Sequence, residues 1–252
     1  MLGLGNNLKK GGLTTPGIVT DSLVLKHKYD AGSVAPVSDG AAYFDGTDDY
    51  ITMGDITGVD GSATLTLACW VFLRDDGVHP FITKGDYNSS GKCFAWDIDW
   101  GGSSGRLRFS VVNEGSNGGF WYRNSMNQYI TQNAWHHLAV TYSNTDDRVY
   151  FYVDGIQYAP AIEGASNTFV NIPNTSDELK IGAASTTAGS FLKGYVCNAG
   201  VWTSELTQAQ IKSIMWKNYE GLTSSETTNL VSWWNLSADA NDSHGSNNGT
   251  LS

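Results

Sequence analysis

The 252-residue sequence is short of charge: 16% of its residues are Asp, Glu, Lys or Arg, against roughly 25% in an average soluble chain. Positive charge is scarcest, with 15 Lys and Arg against 25 Asp and Glu and a formal net charge of −10. A surface of that sign repels a phosphate backbone, so nucleic acid is not an expected partner. Long apolar runs are also missing. No stretch approaches the roughly 20 residues that a membrane-spanning helix requires, and membrane insertion is not expected. The opening Met1-Leu2-Gly3-Leu4-Gly5-Asn6 lacks the charged start and apolar stretch of a secretion signal. Cysteine is rare and odd in number. Cys69, Cys93 and Cys197 stand among apolar or aromatic neighbours, which reads as three buried thiols rather than a disulfide framework or a metal site.

What is plentiful is glycine, at 29 residues, and aromatic side chains, at 12% with nine Trp and twelve Tyr. That mixture suits many short strands joined by tight turns. A chain of this length can fold as one domain. The aromatic residues either fill a broad two-sheet core or are displayed as flat contact surfaces.

Residues 1–40 show no sustained periodicity, being punctuated by Gly3, Gly5, Gly11, Gly12, Pro16, Gly17, Gly32 and Pro36. They read as an extended N-terminal arm. The arm holds four Lys and three Asp, whereas residues 41–252 hold 11 basic and 22 acidic residues, a balance of −11. A nearly neutral arm can dock on a neighbouring subunit with little repulsion, or wrap its own sandwich.

From Ala41 onward, short apolar or alternating runs are separated by Gly, Asn, Asp and Ser roughly every eight to twelve residues, as in sandwiches. The expected fold is all-β: a two-sheet antiparallel β-sandwich over 41–252 with one short helix. Asp154-Gly155 between apolar runs predicts a tight hairpin, since both residues tolerate positive φ. Thr207-Gln208-Ala209-Gln210 is a capping box, with Leu206 and Ile211 at the staple positions. It predicts a helix over 208–219, and a C-terminal strand is predicted over 230–236.

Several segments together resemble the laminin-G-like branch of the concanavalin A-like lectin and glucanase superfamily. They are Phe44-Asp45-Gly46-Thr47-Asp48-Asp49-Tyr50-Ile51, Trp135-His136-His137-Leu138-Ala139-Val140-Thr141-Tyr142, Tyr152-Val153-Asp154-Gly155, Lys180-Ile181-Gly182 and Gly194-Tyr195-Val196. The resemblance implies a jelly-roll sandwich of the concanavalin A-like type. The stretch Leu230-Val231-Ser232-Trp233-Trp234-Asn235-Leu236 resembles what in many family members precedes the Phe-Asp-Gly strand. Here it stands at the other end, so it either completes the same edge or is donated to a neighbour. In the arm, Gly11-Gly12-Leu13-Thr14-Thr15-Pro16-Gly17, Leu23-Val24-Leu25-Lys26-His27 and Pro36-Val37-Ser38-Asp39-Gly40 together resemble the start of lectin-like virion proteins of marine tailed bacteriophages. That resemblance implies a virion protein made in the host cytoplasm and exposed on the particle surface.

Three kinds of site are candidates. Trp96-Asp97-Ile98-Asp99-Trp100 loosely resembles the Glu-x-Asp-x-x-Glu strand of the family's glucanases. Asp97 replaces the first glutamate, however, and Gly102 the last. The two carboxylates would also sit about 7 Å apart along a strand, against the roughly 5 to 5.5 Å of a retaining pair, so no catalytic residue is assigned. Asp45, Asp48 and Asp49 form a dense set of hard oxygen ligands where family members hold Ca²⁺ at a rim, although such residues also serve turn chemistry. Ca²⁺ is the one cofactor considered. Asp86, Tyr87, Trp100, Asn117, Trp121 and Tyr122 combine ring faces with amide and carboxylate groups, which suits a glycan and equally a protein interface. His136 and His137 point to opposite faces of one strand and cannot chelate together.

The expected function is that of a non-enzymatic virion surface protein: a capsid decoration, fibre or tail-associated subunit. Its expected partners are other virion proteins through the arm and surface glycans, in a homo-oligomer or larger assembly. A free-standing glycan-binding lectin, and after it a glycoside hydrolase, are the alternatives.

Overall fold

The strand at the centre of the sandwich is buried on both faces, and its sequence shows why. Within Thr64–Leu73 (TLTLACWVFL), the last nine residues are all buried. Leu65, Leu67, Cys69, Val71 and Leu73 face the main core, whereas Ala68 and Trp70 join two smaller clusters on the opposite face. A strand covered on both sides reads as a continuous apolar run rather than an alternation.

A computed structural model describes residues 37–85, 93–99, 105–111, 130–158, 170–184 and 190–252, together with the backbone of 120–123 and 161–163. The arm up to residue 36 lies outside the described residues. In chain order the first strands are β1 (Ala42–Asp45), β2 (Ile51–Thr52), β3 (Thr64–Leu73), β4 (Val78–Lys84) and β5 (Phe94–Asp99). Next come β6 (Arg106–Val111), β7 (Phe120–Arg123), β8 (Trp135–Ser143), β9 (Arg148–Val153) and β10 (Ile156–Tyr158). The last are β11 (Ala161–Glu163), β12 (Leu179–Ile181), β13 (Lys193–Trp202), β14 (Leu230–Trp234) and β15 (Thr250–Leu251), with helix α1 (Gln208–Ile214) between β13 and β14.

One sheet runs β1-β13-β3-β8-β9-β10, with β14 also on β13, and the other runs β11-β7-β6-β5-β4-β12-β2-β15. The expected two-layer antiparallel sandwich of the concanavalin A-like type is therefore the observed fold. The Asp154-Gly155 hairpin forms with φ of 50° and 75°, the positive angles a tight two-residue turn needs. No helix among the described residues is long and apolar enough to cross a membrane.

Helix α1 begins as expected. The Thr207 side chain accepts from the Gln210 N–H, and the Gln210 side chain accepts from the Thr207 N–H. Leu206, Ile211 and Ile214 pack in one cluster with Tyr152, Trp202 and Trp233, so the helix covers the outward face of the first sheet. It ends at Ile214, short of the predicted 219. Beyond it, Trp216 N–H reaches Ser213 O and Lys217 N–H reaches Ile214 O, tighter i→i+3 bonds that close a helix. Lys217 then turns its ammonium to Glu226, at 2.7 Å from both carboxylate oxygens.

The predicted strand 230–236 also ends early, at Trp234, because Leu236 adopts φ of 56° and directs the chain out of the sheet. The last strand, β15, was not anticipated. It pairs with β2 in the opposite sheet, and Tyr50 and Ser252 exchange N–H···O bonds of 3.2 and 2.9 Å. Both C-terminal strands thus pair within their own sandwich.

At one end of the sandwich Lys84, fully buried, donates to Asp55 (2.8 Å) and to the Thr175 carbonyl (2.7 Å) and lies 3.2 Å from Asp60. It ties two loops to the end of β4.

Glu226, 3% exposed, does the same for the segment after α1. Burial by itself would push its carboxyl up. Bonds from Lys217, Ser213 and the Thr223 amide and hydroxyl outweigh that and hold it at about 2. Because the folded value lies below the unfolded one, this stabilisation is present above about pH 5 and lost as pH falls toward 2. Glu226→Gln should cost about 3 kcal/mol at neutral pH and flatten the acid limb of a urea-unfolding pH profile.

Candidate functional site

Along β5 the side chains alternate: Trp96 and Ile98 enter the core, and Asp97 and Asp99 take the other face. β6 repeats the pattern with Leu107 and Phe109 inward, and with Arg108 directly opposite Asp97 and Arg106 opposite Asp99. Arg108 donates to both oxygens of Asp97, from Nε at 2.6 Å and Nη2 at 3.0 Å, and from Nη1 to Asp99 at 2.8 Å. Asp97 is 1% and Arg108 8% exposed, and Thr83, Ser110 and Lys180 beside them are equally buried. This is a two-pronged ion pair.

The acidic turn after β1 is drawn together as expected. Asp45, Asp48 and Asp49 offer ligand atoms that all lie within 4.8 Å of one another. Part of their capacity serves the turn itself. Asp45 Oδ1 accepts from the Thr47 N–H at 2.7 Å, and Asp49 Oδ2 from the Asp45 N–H at 3.0 Å. The remaining carboxylate oxygens are hard ligands of the kind Ca²⁺ takes.

His136 and His137 separate as anticipated. His136 Nδ1 lies 2.8 Å from Asp154 Oδ2, while Nε2 accepts from the Thr131 N–H at 3.0 Å, with Thr131 Oγ1 also at 3.0 Å. The order hydroxyl, imidazole, carboxylate is that of a nucleophilic triad. Here the backbone N–H of Thr131 occupies the same ring nitrogen, and Asp154 also accepts from the His137 N–H at 2.9 Å, so the group clamps the hairpin. His137 is buried against Trp70, which pushes its pKa down to about 4. The three thiols are free and buried, and burial pushes Cys93 up to about 12.

Of the proposed contact residues, Asp86, Tyr87, Trp100 and Asn117 lie outside the described residues. Trp121 and Tyr122 are placed by their backbone in β7, opposite Ser110 and Phe109 of β6 and opposite Glu163 and Ile162 of β11. Arg108 was missed. The signal existed: Asp-x-Asp on one strand and Arg-x-Arg on the next form complementary period-two patterns.

Residues 45–212 match the family described as the concanavalin A-like lectin/glucanases superfamily, in its laminin G-like branch. No curated protein matches the sequence. Among solved structures, a Bacteroides ovatus ATCC 8483 protein assigned to carbohydrate binding aligns at TM-score 0.62 and 18% identity, over 84% of this chain and 57% of its own. Tailspike protein 2 of the Escherichia coli O157:H7 bacteriophage CAB120 aligns at 0.60 and 12%, over 82% of this chain and 28% of the tailspike. Domain 4 of a Geobacillus stearothermophilus arabinanase, in complex with arabinotriose, aligns at 0.53 and 17%, covering 72% and 79%. The chain therefore spans less than two thirds of the first two proteins, and at these identities the likeness is one of fold.

Removing Asp97 takes from the buried Arg108 two of its three bonds to carboxylate oxygens. Asp97→Ala should lower stability by roughly 3 kcal/mol, read as a shift of the urea midpoint with the far-ultraviolet spectrum of the folded chain retained.

Proposed function

This chain belongs to the concanavalin A-like lectin/glucanases superfamily, and from that premise we propose that it is a non-enzymatic surface protein of a virion that presents its sandwich to glycans. The Arg108 clamp on Asp97 and Asp99 carries the non-enzymatic part of the reading. The residues that stand where the family's glucanases keep their carboxylates are committed to an internal ion pair. Glycan contact is assigned to Asp86, Tyr87, Trp100 and Asn117 and to Trp121 and Tyr122 of β7, whose residue types combine ring faces with hydrogen-bonding groups. The virion placement is supported by the resemblance of the arm, in residues 11–21, 23–27 and 36–42 together, and by the fold shared with a phage tailspike. Anchoring is assigned to the arm, with the chain one subunit of a larger assembly.

Two measurements test this. Purified particles should contain the chain in fixed stoichiometry, and removal of residues 1–40 should abolish its incorporation while the sandwich remains folded. A truncated chain that incorporates at full occupancy would sink the anchoring role. Turnover of β-glucans by the intact protein, lost in Asp97→Asn, would replace the binding role by hydrolysis.

We assign Ca²⁺ to Asp45, Asp48 and Asp49. A ligand that binds only the folded state raises its stability, so millimolar Ca²⁺ should raise the melting temperature and Asp48→Asn should remove the increase. Equal melting of both proteins with Ca²⁺ and with chelator would dismiss the site.

A further inference from the structure

The outward face of the first sheet is covered by α1 and the segment from 202 to 234, but not at the end where β3 turns into β4. There the register aligns four aromatic side chains in one row across four strands. Tyr43 pairs with Tyr195, Tyr195 with Phe72, and Phe72 with Trp135. Successive ring centroids lie 5.0, 5.9 and 5.7 Å apart. Phe72 is 3% exposed and forms the floor. The half-buried Trp135 and Tyr195 close over it with their ring centroids 6.4 Å apart, and Tyr43 is 51% exposed.

Polar groups border the row. Exposed Arg74 donates to the Tyr195 hydroxyl at 3.0 Å, and its guanidinium lies 5.2 Å from the Tyr195 ring centroid and 5.9 Å from that of Tyr43. The Trp135 indole N–H is buried and has no hydrogen-bond partner among the described residues. Beyond Tyr43 lie Asp45 and, opposite it on β13, Lys193, whose ammonium is 3.0 Å from Asp75. On the other side the row stops at Trp70, Cys197 and Met215, which Val37 and Ala41 pack against.

We infer that this row is a second carbohydrate-binding surface, on the opposite sheet from β7, and that it takes a neutral oligosaccharide. The inference rests on the glycan-binding reading above and adds a face to it. The Tyr43 and Tyr195 rings, 5.0 Å apart, and the Trp135 ring 6.4 Å from Tyr195 make a short patch, room for about two sugar rings. It is far below the roughly 800 Å² that each partner contributes to a stable protein interface, and Trp70, Cys197 and Met215 bound it on one side. Ring faces beside a guanidinium and phenol hydroxyls match the alternating apolar faces and hydroxyls of a sugar. The acidic turn at Asp45, Asp48 and Asp49 stands against an anionic ligand.

The test is an array of neutral gluco-, galacto-, xylo- and arabino-oligosaccharides beside sialylated and sulfated ones, probed with the full chain and with Tyr43→Ala, Arg74→Met and Trp121→Ala. Tyr43→Ala and Arg74→Met should weaken binding of a neutral ligand roughly tenfold without moving the thermal midpoint. If Trp121→Ala abolishes all binding and the two row variants bind like the parent, the row is not a site while the glycan-binding reading survives. If the parent binds no glycan, both fall. Exclusive binding of anionic glycans, or a change in sedimentation rather than in glycan retention on Tyr43→Ala, overturns the row as a neutral-sugar site. The latter result would make it a protein interface.

Discussion

The register of β3 against β8 and β13 is the constraint on which the rest of the molecule depends. Alternate residues of this strand serve two different apolar layers, so a slip of one position would send Trp70 and Phe72 into the inter-sheet core and Leu67 and Val71 out beneath the helix. Large rings do not fit where Leu and Val pack against Leu138, Val140 and Phe151, and the penalty for overpacking falls on every neighbour. Gly194 of β13 sharpens the constraint. A Cβ there would overlap the carbonyl oxygen of Phe72, so the two backbones meet closely at that step.

The two sheets treat their outward faces differently. On the first, apolar residues are covered by α1 and the segment from 202 to 234, with Trp202 donating to the Glu226 carbonyl and Trp70 to the Met215 carbonyl. On the second, the outward face is charged and buried, and Arg108 neutralises two carboxylates at once. Buried charge of this kind adds little net stability compared with an apolar substitute, because both partners lose their hydration. Its physical effect is to fix the register of β5 against β6, since a slip would separate Asp97 from Arg108.

Much of the fold was legible in the residues. The Asp154-Gly155 turn and the Thr207 capping box are local devices whose geometry follows from two to four side chains, and both formed as read. The end of α1 was not local: it depends on Lys217 meeting Glu226 nine positions later, which no periodicity announces. β15 was illegible for the same reason, being two residues long and defined only by its partner β2. At the candidate sites, the acidic turn was readable because its ligands lie within five residues. The Arg108 clamp required knowing that β5 and β6 are neighbours. The aromatic row is the extreme case, since its four members are spread between positions 43 and 195 and only the sheet order brings them into line.

The C-terminal segment crosses from one sheet to the other, with β14 on β13 and β15 on β2, and Gly40 packs against the backbone of Ser237. Synthesis therefore delivers the staves that close this seam after every strand they join. Until Leu230 and the residues beyond it leave the ribosome, the edges of β2 and of the distal half of β13 stay open to any other chain. A nascent copy is most prone to misassembly in that interval, and a chain that stops before Leu230 lacks the two strands that shut the sandwich.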